Sequence, residues 1–241
     1  MKRFAIRCLL VSGAVLLFTL AAICQDTKPF TFTDPFTNYA AGSDGSPNWK
    51  ADAGSTAWKV KDGALRGSAT ARQFIDVTKA PTGKTVHLQA TITVRSGDTP
   101  AWNVTGIAVR QNVDNYWHLA LVEAPPNENK RHFVELCEMK DKKWQAQFTA
   151  ETKLASNEWK DVDFAWEYNH PYKLTLDMST TGIRGQITEL DGTVRSSIAY
   201  NFNAPAVTQG LPSLTISGMT TDYDDVAVSV ADIVPATAPA K

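Results

Sequence analysis

Cysteine is almost missing from this chain: there are three in 241 residues, and two of them, Cys8 and Cys24, fall within the first 24. With that segment removed only Cys137 remains, so no intrachain disulfide can form and a packed core must hold the fold. Long apolar runs are equally scarce. The clearest, CLLVSGAVLLFTLAAI, spans about 16 residues, where a membrane span needs roughly 20. Preceded by Lys2, Arg3 and Arg7, it has the layout of a signal peptide over 1–24. Ala22 and Cys24 put small side chains where a signal peptidase reads, which predicts a mature start at Gln25 and a secreted or periplasmic protein without stable membrane insertion. A lipid on Cys24 is the competing reading, but Ile23 stands where a lipobox wants a small residue. An excess of positive charge is lacking too. The leader takes three of the 24 basic residues and none of the 25 acidic ones, leaving 21 against 25, which excludes a nucleic-acid partner.

Helical periodicity is absent after the leader, and alternation takes its place. Leu88, Ala90, Ile92 and Val94 alternate with polar residues over 87–95, and Tyr172, Leu174, Leu176 and Met178 do so over 172–179. Turn signals at Asp62-Gly63 and Asp191-Gly192 separate short strands. About a dozen such strands, with no internal repeat and no second domain, predict an all-β, two-sheet antiparallel sandwich over 25–231. Residues 232–241 are expected to form a flexible tail.

The stretch 104–149 pairs as a β-meander whose two faces differ in chemistry. Placing Ile107 by Leu119 and Val109 by Trp117, then Leu121 by Val134 and Leu119 by Leu136, then Leu136 by Ala146, collects an apolar face. The period of two sends Arg110, Tyr116, His118, Glu135, Gln145 and Gln147 to the other face, over a floor of Gly106, Ala108 and Ala120. Gln89 is expected on the strand beyond Arg110.

Several short patterns resemble the concanavalin A-like lectin/glucanase jelly roll, in its laminin-G-like and sugar-hydrolase-associated bacterial branches. They are Phe32-Thr33-Asp34-Pro35-Phe36, the hairpin Ala57 to Leu65, the stretch Trp166 to Leu174, and Tyr223-Asp224-Asp225-Val226-Ala227-Val228. The resemblance implies a domain that binds or cleaves carbohydrate on its concave sheet. It requires no cofactor but allows a structural calcium, with Asp34 and Asp225 as the oxygen donors. The E-x-D-x-x-E catalytic strand of the glucanases is missing; Glu135-Leu136-Cys137-Glu138 is the nearest stretch.

On this basis Arg110, Tyr116, His118, Glu135, Gln145, Gln147, Gln89 and Trp102 form the expected carbohydrate contacts. Arg110 beside Tyr116 suits sugar hydroxyls or a uronic carboxylate. Trp102 and Trp159, in loops, can stack on a sugar ring. Glycoside hydrolysis usually needs two carboxyl groups across the scissile bond. Glu135 and Glu138 point to opposite faces, while Glu123 and Asp114 lie at loop ends. A hydrolase or lyase with Glu135 as acid or base, aided by His118, is therefore the alternative, and a laminin-G-like adhesion module a third. His118 opposite Cys137, with Glu135 diagonal, also has the makings of a metal or nucleophile site, or of a buried thiol beside a hydrogen-bonded histidine.

Overall fold

Side chains that alternate in a strand need a second layer to cover their apolar face, and two sheets supply each other with one. The computed structural model describes residues 28–145, 153–154, 164–202 and 206–235. The leader 1–24, Gln147, Trp159 and the last six residues of the tail lie outside them.

Among the described residues the strands are, in chain order, β1 (Phe30–Asp34), β2 (Trp49–Ala51), β3 (Trp58–Lys61), β4 (Ala64–Ala69), β5 (Gln73–Val77), β6 (Gly83–Gly97), β7 (Asn103–Asn112) and β8 (Asn115–Glu123). There follow β9 (His132–Lys140), β10 (Lys143–Gln145), β11 (Lys153–Leu154), β12 (Pro171–Met178), β13 (Gly182–Thr188), β14 (Val194–Asn201), β15 (Leu211–Ser217) and β16 (Met219–Ile233). One sheet runs β10-β9-β8-β7-β15-β5-β2. The other runs β11-β14-β13-β12-β6-β16-β4-β3, with β1 paired to the second half of β16. Every pairing is antiparallel. No helix among the described residues is long and apolar enough to cross a membrane.

The first two turns of the meander have the expected register, with Ile107 by Leu119, Val109 by Trp117, Leu119 by Leu136 and Leu121 by Val134. These side chains are at most 1% exposed and belong to the core with Trp58, Trp166, Leu88 and Ile92. Each such burial is worth about 1.5 to 3 kcal/mol. The Trp117 Nε1–H donates to Val207 O and the Trp166 Nε1–H to Val122 O, so neither indole leaves a buried donor unpaired.

Four expectations are corrected. The five-residue turn expected at Gln111 to Asn115 closes on Val113 and Asp114, with Asn112 paired to Asn115 and a bulge at Gln111. The third hairpin is shifted by one residue: Trp144 pairs with Met139 and Gln145 with Glu138. A one-residue shift exchanges faces, so Trp144 joins the outer face and Gln145 leaves it. Gln89 lies on β6 in the opposite sheet, paired to Thr175 and Ala227, because β15 takes the place beside β7. The last strand continues to Ile233, paired with Gly83, two residues past the expected end of the domain.

Asp34 closes β1. Its Oδ1 accepts the Phe36 N–H at 2.8 Å, and its Oδ2 accepts the Tyr39 O–H at 2.5 Å and the Trp49 Nε1–H at 2.8 Å. Asp34 pairs with Val226, next to Asp225, which is exposed at the register shift within β16 with a left-handed φ of 46°.

Candidate functional site

The outer face of the seven-stranded sheet has a floor of small residues. Gly106 on β7 sits between Ala120 on β8 and Thr215 on β15, and Ala108 sits between His118 and Ser213.

At one end Arg110 is fixed by two acids. Its guanidinium meets Asp76 through Nε–Oδ1 at 3.0 Å and Nη2–Oδ2 at 2.5 Å, and Asp52 through Nη1–Oδ1 at 2.9 Å. It also stacks 4.6 Å over the Phe74 ring. Burial disfavours its charge, but these acids outweigh that and hold the pKa above the ordinary arginine value. Arg110 is thus on the expected face, yet it is buried and already paired, so it is not available to a uronic carboxylate.

Tyr116 and His118 share that face and are also buried. Phe74 meets Tyr116 edge-on at 5.0 Å. Trp144 covers the pair: its ring stacks on His118 at 5.0 Å and 27°, and meets Tyr116 edge-on at 5.8 Å. Arg72, in the connection between β4 and β5, lies 5.1 Å over Trp144 and 5.8 Å over Tyr116. Its Nη1 donates to His118 Nδ1 at 3.5 Å.

Glu135 is the carboxylate at the centre of this face, with its side chain 25% exposed and Oε1 3.3 Å from His118 Nε2. Burial pushes its pKa up. The nearby His118 and Cys137 side chains and the charge of Arg72 push it down further, so the group stays ionised. His118 is wholly buried, and burial, aided by Arg72, lowers its pKa against the pull of Glu135. Burial and the adjacent Glu135 carboxylate raise the Cys137 thiol well above its usual value. At neutral pH the cluster is therefore a neutral imidazole, a carboxylate and a protonated thiol.

Trp102 lies at the other end of the same face. It meets Phe133 edge-on at 6.1 Å, beside an apolar patch of Val104, Ala120 and Val122. Trp102 and Trp144 are 47% and 48% exposed, the two large aromatic side chains the molecule leaves open among its described residues.

The remaining carboxylates are elsewhere. Glu123 turns between the sheets, where its oxygens meet Tyr168 Oη at 2.5 Å, Asn103 Nδ2 at 2.8 Å and His132 Nε2 at 3.3 Å. Glu138 is buried on the core side and accepts the Val207 N–H at 2.6 Å. Asp114 sits in the exposed β7–β8 turn near Lys142. Trp144 and Arg72 are the site residues that sequence reasoning missed.

No protein-family model and no curated protein sequence matches the chain. Solved structures do match its fold. Peanut lectin superposes with a TM-score of 0.55 at 9% identity, over 87% of this chain and all of the lectin. The carbohydrate-binding module CBM66 from Bacillus subtilis gives 0.52 at 13% identity, over 74% of this chain and 93% of the module. A GH43 protein from Bacillus licheniformis gives 0.54 at 10% identity, over 83% of this chain but only 39% of its own. Similarity at these identities establishes a shared two-sheet antiparallel jelly roll.

Proposed function

We propose that this chain, whose fold is that of the concanavalin A-like jelly rolls, is a secreted protein that binds a poly- or oligosaccharide across the outer face of its seven-stranded sheet. The observation that carries the reading is the pair of exposed tryptophans at the two ends of one polar face. Sugars offer a C–H face to an aromatic ring and hydroxyls to planar donors and carboxylates, and a face with open indoles and a central Glu135 and Arg72 supplies both. The similarity of fold to a lectin and to a carbohydrate-binding module favours the same reading. Trp102, Trp144, Arg72 and Glu135 are the contact residues. Tyr116 and His118 support Trp144, Arg72 and Glu135 from beneath, and Phe133 supports Trp102. A screen against an oligosaccharide panel tests it: a ligand should be found, and Trp144→Ala should weaken its binding by about tenfold, or ~1.4 kcal/mol. Binding unchanged in both Trp144→Ala and Trp102→Ala would move the site elsewhere.

A second reading, a glycoside hydrolase or polysaccharide lyase, draws on the contact between Glu135 and His118. Because Glu135 is held ionised, it would serve as base and not acid. The other acids on this face, Asp76 and Asp52, are tied to Arg110. Glu135→Gln separates the two. In a binding protein affinity falls by about 1 to 3 kcal/mol. In an enzyme turnover drops by about 100-fold or more while binding persists.

A further inference from the structure

Three side chains of different ligand chemistry converge at the centre of this face. The imidazole of His118, the carboxylate of Glu135 and the thiol of Cys137 present ligand atoms that all lie within 4.8 Å of one another. Pairing of β8 with β9 places His118 directly beside Cys137, with Glu135 two residues along the same face. His118 is fully buried. Its Nε2 has no hydrogen-bond partner, although Glu135 Oε1 is 3.3 Å away. An orphaned polar atom in such a place costs about 1 to 3 kcal/mol unless something fills the role.

The separation itself is informative. Zinc binds imidazole nitrogen and carboxylate oxygen at about 2.0 to 2.2 Å, and two ligands at that distance around a tetrahedral ion stand about 3.3 to 3.5 Å apart. The His118–Glu135 contact already has the length of one such edge. A thiolate on the neighbouring strand selects a borderline-soft cation over calcium or magnesium.

We infer that His118 Nε2, one Glu135 oxygen and Cys137 Sγ bind a single thiophilic divalent cation of the zinc type. Three protein ligands leave a fourth position on the partly exposed Glu135 side, open to water or a sugar hydroxyl. The site stands on its own geometry and does not depend on the carbohydrate reading.

Binding balances as follows. The Cys137 thiol gives up its proton to solvent and forms the sulfur–metal bond. Glu135 binds as the carboxylate it already is. The His118 proton moves from Nε2 to Nδ1 without net release. Arg72, whose Nη1 donates to Nδ1 at 3.5 Å, has to turn away. Its other contacts are with the exposed Trp144 ring and with Tyr116, and neither ring belongs to the main core between the sheets, so its release leaves that core intact.

Cobalt titration of the full chain tests the site, with cobalt as the spectroscopic stand-in for zinc. The expected result is one ion per chain, with thiolate-to-cobalt charge-transfer absorption that zinc displaces. Cys137→Ser should remove that band although Cys8 and Cys24 are retained. Glu135→Gln, a conservative change at a partly exposed side chain, should keep the fold and weaken binding at least about tenfold. No charge-transfer band at excess cobalt would overturn the site. So would a band that survives Cys137→Ser, or wild-type affinity in Glu135→Gln. Oligosaccharide titration with and without zinc reads a separate signal, so failure of one proposal is not failure of the other.

Discussion

His118 is a buried, neutral imidazole, and that state has a measurable consequence. An unfolded histidine takes up a proton near pH 6.5, while the folded one resists, chiefly because burial disfavours the cation. Below that pH the unfolded chain binds a proton that the native chain does not. Stability from this group is therefore full above about pH 6.5 and falls as pH falls, by up to about 1.4 kcal/mol per unit. His87 has the opposite sign, since its bond to Asp177 raises its pKa and its contribution is lost as pH rises. In a His87→Gln background, melting temperature should fall from pH 7 to 5.5, and adding His118→Gln should flatten that fall. An unchanged slope would mean that His118 is not held neutral. Residue types were legible at this scale, but their partners were not. Arg110 falls on the expected face, yet Asp76 on β5 and Asp52 just after β2 come from segments that no local pattern places beside it. Arg72 reaches the site from a connection with no alternation to mark it.

At the scale of elements, the strand register of the first two hairpins was legible because a buried face punishes any slip in register, although the length of the first turn was not. The register of the third was not. Asp141 and Lys142 form a two-residue turn with φ of 48° and 65°, values that hairpins of this type usually give to Asn-Gly or Asp-Gly. Without a glycine the signal is silent, and a three-residue turn fits the sequence as well. That one residue decides whether Trp144 or Gln145 faces outward. Lys142→Gly removes the left-handed penalty on a side chain and should stabilise the protein by about 1 kcal/mol in urea unfolding. A loss of stability would argue against this turn and against the position of Trp144 that follows from it.

At the scale of the molecule, the two-sheet sandwich was legible in alternation and turn spacing, whereas the order of strands was not. Gln89 was expected beside Arg110, but the chain crosses to the other sheet between β6 and β7, and β15 returns from far along the sequence to fill the gap. Such crossings depend on how the two layers close over each other, which no local pattern encodes. The same closure gives Asp34 its work. With its two oxygens accepting three hydrogen bonds that tie β1 to the loop ending at Trp49, Asp34 has little left for a cation. Added calcium should therefore leave the melting temperature unchanged; a concentration-dependent rise would place a calcium site at this end of the sandwich.

The central claim is that one face of the seven-stranded sheet takes a saccharide between two exposed indoles. Titration of the labelled protein with a bound oligosaccharide, followed through the tryptophan indole N–H resonances, tests it most directly. Trp102 and Trp144 should shift and saturate together, while the core residues Trp58, Trp117 and Trp166 stay in place. Saturable binding that leaves both Trp102 and Trp144 unmoved would contradict the account.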